Sequence, residues 1–198
     1  MNTETTSTPR IIIDSSAEAQ GWTVDQAALA RHMTEDYGIS PEGVEQTTII
    51  LGGKNHFSYR GSETPGSLDR RLRGTDQRNE GAASIVRLTT KLKGAQRSPK
   101  DVNATLSHEL EHVAQGDRRD KNRLIGNVVI WGLAATGAVI GSRLGKHSVS
   151  RVTGALIGGA LGQGIGYRIA PHENQARQRA EEVRLAVVTK SSRPTAEK

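Results

Sequence analysis

Thr105-Leu106-Ser107-His108-Glu109-Leu110-Glu111-His112-Val113-Ala114-Gln115-Gly116-Asp117 is the stretch around which the chain is organised. It contains His-Glu-x-x-His. On an α-helix, positions i and i+4 project from one face, so His108 and His112 can reach one metal ion. Glu109 sits beside that face, where a carboxylate can take a proton from a metal-bound water. Val102, Leu106, Leu110 and Val113 fall on the opposite side and give the helix a core face. Ser98-Pro99-Lys100-Asp101 supplies its start, with a Ser N-cap, Pro at the first helical position and an acid in the first turn. Gly116 is the expected stop.

Composition narrows the chemistry. The 198 residues suffice for one modest domain, or a domain plus a membrane element. There is no cysteine, which excludes disulfides and thiolate ligands, so a zinc ion must be held by imidazole and carboxylate. A net charge of +6 favours anionic surfaces without specifying one. Aromatic residues make up only 3%, leaving few platforms for base stacking, and no specific nucleic-acid partner is expected. Met1 to Arg10 is polar and Thr-rich with no visible secretory signal, and reads as a disordered tail.

From Ile11 the chain reads as α+β. Ile11, Ile12 and Ile13 form a short strand or an anchoring apolar run. Thr23-Val24-Asp25-Gln26 has the form of a capping box, opening a helix to about Tyr37 that stops at Gly38. His32 on that helix reads as a surface residue. Val44 to Leu51 is β-branched and predicts a strand. Gly52-Gly53 predicts a hairpin turn, with Asn55 to Arg60 returning and His56 exposed on it. Gly61 to Gly81 reads as a long loop made basic by Arg70, Arg71, Arg73 and Arg78. Ser84 to Leu88 predicts another strand, just before the His-Glu-x-x-His helix. As an edge strand it can bind an extended substrate by strand addition.

Beyond Arg123 the chemistry changes. Leu124 to Ser142 is a 19-residue run without charge, and Val152 to Tyr167 is a second uncharged run. Glycines recur every four residues at Gly137, Gly141 and Gly145, and at Gly154, Gly158, Gly162 and Gly166. Small residues at that spacing let two helices approach closely in lipid. The expectation is a two-helix transmembrane hairpin with the remaining chain on the cytoplasmic side. The same helices offer a surface for homo-oligomers.

Two imidazoles alone make a weak zinc site; a catalytic zinc takes three protein ligands and a water. The charged helix opening at Pro171 is the best source of the third ligand. Glu173 is the first candidate and His172 its rival. Glu181 and Glu182 are less favoured, Asp117 is too close to the first helix's end, and His147 falls in the inter-helix turn. Thr105 to Asp117 resembles the metal helix of the M48 gluzincin peptidases, the family of HtpX-type membrane stress proteases and CAAX prenyl proteases. That family places hydrophobic segments between this helix and a second one bearing a Glu ligand in an E-x-E-A-D-type motif. Glu173-Asn174-Gln175-Ala176-Arg177 matches at Glu173 and Ala176, and departs at Gln175 and Arg177. The resemblance covers about Ser84 to Val183.

The resemblance implies a membrane-associated zinc metalloendopeptidase. Its metal ligands are His108, His112 and Glu173, with Glu109 as general base and a protein or peptide as substrate. Arg177, Arg179 and Arg184 are candidates for stabilising the oxyanion. The expected organisation is a tail (1–10), an N-terminal part with the metal helix (11–123), a glycine-rich hairpin in lipid (124–168), a third-ligand helix completing a minimal gluzincin-like domain (169–190), and a second tail (191–198). The competing reading is a non-catalytic glycine-zipper membrane protein with a structural or degenerate metal site. A soluble zinc peptidase whose hairpin packs on itself or on a toxin-like partner is a third.

Overall fold

The computed structural model describes residues 7–52, 61–73, 80–92, 94–118, 120–145 and 147–191. The chain is mixed α+β, as its patterning predicts, and divides into two units, residues 1–118 with 179–198 and residues 119–178.

The first unit is built on a four-stranded sheet. Its strands are β1 (Arg10–Ile13), β3 (Thr47–Leu51), β5 (Ser84–Leu88) and β4 (Gly61–Pro65), in the order β1-β3-β5-β4. The first three are parallel and β4 runs antiparallel to β5. Side chains alternate across the sheet. Ile49, Leu51, Val86 and Leu88 face the main core, while Ile50 and Ile85 face a smaller cluster behind it. β3 is buried along its whole length, as a central strand covered on both faces should be. After a short helix, α1 (Ser15–Glu18), a second small sheet pairs β2 (Trp22–Val24) with β8 (Val188–Lys190), and β6 (Lys91–Leu92) pairs with β7 (Ala95–Gln96).

The helix that carries the motif, α5 (Pro99–Asp117), closes the main core with Val102, Leu106, Leu110 and Val113, the stripe expected from their spacing. Ser98 caps it by accepting from the Asp101 amide, with Pro99 at the first position. Gly116 does not stop it; the helix continues to Asp117, whose carboxylate accepts from the amide and hydroxyl of Ser40. Asn103 does the work of a strand edge on this helix. Its side chain donates to the Val188 carbonyl and accepts from the Val188 amide.

Several local expectations change. Thr23 is not a cap, because Trp22 and Val24 are drawn into the ladder with β8, and α2 (Gln26–Glu35) is capped instead by Asp25 accepting from the Ala28 amide. Gly38 does turn the chain away, at φ +62°, where glycine is favoured. Val44 belongs to a short helix, α3 (Pro41–Glu45), because Ser40-Pro41 is a cap followed by a first-turn proline. The hairpin turn at Gly53 and the return strand through His56 lie outside the described residues. The expected loop from Gly61 holds β4 and α4 (Gly66–Arg73). Buried Asp69 of α4 accepts two bonds from Arg87 of β5, a long-range pairing that local composition does not announce. β5 is an internal strand, and among the described residues β4 holds the edge beside α5 that the sequence assigns to β5.

The second unit is a helical hairpin, α6 (Lys121–Leu144) and α7 (Ser148–Ile169). Glycine backbones meet where the four-residue spacing predicts. A Cβ on Gly137 would fall 2.0 Å from the Gly158 carbonyl oxygen, and one on Gly141 would fall 1.9 Å from that of Gly154. Larger side chains such as Leu124, Trp131, Leu144, Val149, Leu156 and Leu161 are exposed. Among the described residues, only α6, over Arg123–Leu144, is long and apolar enough to cross a membrane. α7 falls short because its six glycines, Gln163 and two arginines dilute its hydropathy, so two membrane spans are not supported.

Candidate metal centre

His108 and His112 stand one turn apart on α5 with their rings perpendicular and centroids 4.8 Å apart. Their Nε2 atoms face each other at 3.2 Å. Two nitrogens held about 2.0–2.1 Å from one tetrahedral zinc stand about 3.3–3.4 Å apart. The spacing of the pair is close to, and slightly below, the spacing a shared metal ion requires.

His112 is held from its far side. Its Nδ1 lies 3.2 Å from Oε1 of Gln115, a residue with no exposed surface. The Gln115 amide nitrogen points to Glu111, and Arg118 donates to the same Glu111 oxygen at 2.9 Å. Sequence reading passes over Gln115 and Glu111, although a Gln three residues after a candidate ligand lies on the same side of the helix.

Glu109 is 7% exposed. Burial pushes its carboxyl above the usual carboxylate range; His112 and His108 pull it back, the Glu63 carboxylate adds to the rise, and the Glu63 backbone N–H, bonded to it, opposes that rise. Glu63 belongs to β4 and also accepts from Ser84 Oγ at 2.6 Å. A residue from the expected loop therefore touches the candidate general base.

The third candidate lies on α8 (Pro171–Glu182), a continuous helix that starts in the second unit and ends in the first. His172 and Glu173 are both buried there, with His172 Nε2 3.7 Å from Glu173 Oε1. His108 and His112 lie in the first unit, and both His172 and Glu173 lie in the second. Glu181 and Glu182 are exposed, and Asp117 is committed to Ser40. The donor set is nitrogen and oxygen, which suits zinc and also other divalent transition ions.

The three arginines offered for an oxyanion have other occupations or none that bears on the site. Arg177 donates to the Tyr167 carbonyl. Arg179 donates to the Asp36 carbonyl and to Glu182 and lies over the Tyr37 ring. Arg184 is exposed.

No family model, curated protein or solved structure matches the chain.

Proposed function

We propose that the protein is a zinc-dependent endopeptidase of gluzincin type, associated with a membrane through its helical hairpin. The observation that carries this reading is the 3.2 Å separation of the two Nε2 atoms beside a buried carboxylate of the same helix. His108, His112 and Glu173 would hold the ion. When bound, zinc supplies a polarising charge for the scissile carbonyl and lowers the pKa of a bound water.

The remaining steps belong to the chain. Glu109, kept in a desolvated pocket, accepts the water's proton and passes it to the leaving amine. A raised pKa suits that second task, because the protonated carboxyl must serve as the acid. An extended peptide would add beside β4, whose Glu63 lies against Glu109. The exposed apolar side chains of α6 and α7 would be covered by lipid.

The test is cleavage of casein by the full chain in detergent. Glu109→Gln should lower the rate about 100- to 10,000-fold with zinc retained; full activity in that variant would contradict the mechanism. One observation favours the non-catalytic alternative. Arg177 takes the place of the acid expected after Glu173 and is engaged with a backbone carbonyl. Zinc bound by the wild type without hydrolysis is the outcome that reading predicts.

A further inference from the structure

The far side of His112 carries a chain of polar groups with one consistent direction. Glu111, Gln115 and His112 are all buried, at 7%, 0% and 8% exposure. Arg118 offers only donors, and Nη2 is 2.9 Å from Glu111 Oε1. A carboxylate held by an arginine accepts and does not donate. The group that Gln115 turns toward Glu111 must therefore be its amide N–H, at 3.5 Å. That leaves the Gln115 carbonyl oxygen for the imidazole, 3.2 Å from Nδ1. A carbonyl oxygen cannot donate, so Nδ1 must carry the hydrogen. Neutral imidazole has a single N–H, and His112 Nε2 is then a bare lone pair directed at His108 Nε2, 3.2 Å away.

We propose that Gln115 is a positioning residue that fixes His112 in its Nδ1–H tautomer and thereby prepares Nε2 to bind the metal, with Glu111 and Arg118 holding Gln115 in the required orientation. This rests on the reading of His112 as a metal ligand. The orientation is imposed by the protein before any ion arrives. Three residues of α5, Glu111, His112 and Gln115, and the residue that caps its C-terminus, Arg118, supply the device. Gln115 thus acts through His112 and touches no reacting atom. Metal-bound imidazoles generally donate their second N–H to a carboxylate, carbonyl or water, and loss of that partner typically weakens metal affinity 10- to 100-fold. Here an amide fills the role, supported in turn by a carboxylate.

Two measurements on the full-length protein in detergent test this. Long-range nitrogen–proton NMR of the metal-free wild type should show His112 as the Nδ1–H tautomer. An Nε2–H tautomer would overturn the proposal without any substitution. Titration with zinc against a chromophoric chelator should then show the dissociation constant of Gln115→Met raised about 10- to 100-fold. Gln115→Glu, which keeps an acceptor toward Nδ1 but loses the N–H that Glu111 accepts, should keep the Nδ1–H tautomer. Unchanged affinity and unchanged tautomer in Gln115→Met would refute the role of Gln115. Failure of the metal reading looks different: the wild type would bind no zinc, while the His112 tautomer would still report on Gln115.

Discussion

Glu109 is a buried carboxylate whose desolvation costs stability when it is charged. Its pKa lies above the ordinary range, chiefly through burial. In the pH range between the unfolded and folded values, the folded state binds more protons than the unfolded one. Stability of the metal-free protein therefore falls as pH rises through that range. Glu109→Gln removes the desolvated charge and should stabilise the metal-free protein at neutral pH by on the order of 1 kcal/mol, read from denaturant unfolding, while activity is lost. Tyr37 gives a second pH signature. It is fully buried, its hydroxyl shares a 2.6 Å bond with Ser107, and burial raises its pKa to about 12. The folded state resists deprotonation, so the Tyr37 contribution is intact below pH 10 and is lost between about pH 10 and 12. The loss is at most about 3 kcal/mol. Tyr37→Phe should flatten that limb of the stability curve; an unchanged alkaline limb would show that another group governs it.

At the level of elements, the motif helix and the hairpin were legible in the sequence because each declares itself locally. Ser98-Pro99 marks the start of α5, and four apolar residues mark its buried side. The glycine spacing marks where α6 and α7 touch. β4 and α4 were not legible, because they depend on partners distant in sequence: the β5 ladder and the Arg87–Asp69 pair. The touch of Glu63 on Glu109 was hidden for the same reason. Thr23 misled because its capping pattern is overridden by the pairing of β2 with the far C-terminal β8. The hairpin makes a sharp prediction. A Cβ at Gly158 would stand 2.0 Å from the Gly137 carbonyl oxygen, backbone that cannot step aside. Gly158→Leu should force the two helices apart, and cross-linking of cysteines introduced at Ala138 and Gly159 should fall several-fold relative to the same pair with Gly158 intact. Gly164, with open space around its Cβ position, is the control: Gly164→Leu should leave cross-linking unchanged.

Across the whole molecule, a polar α+β unit and an apolar hairpin share one chain, and the candidate third ligand lies on the helix through which the chain passes from one to the other. The hairpin exposes bulky apolar side chains along both helices, a surface that water disfavours. Liposome flotation should carry the full chain upward with lipid, and substitution of Val128, Trp131 and Val139 by Ser should leave more of it in the soluble fraction. Flotation unaffected by those changes would move the membrane contact elsewhere. The central claim is metal ligation by two imidazoles from one helix and a carboxylate from another. Zinc K-edge X-ray absorption of the zinc-loaded full-length protein tests it most directly. The account predicts two imidazole nitrogens and carboxylate or water oxygens at about 2.0–2.2 Å; a shell without imidazole scattering would contradict it.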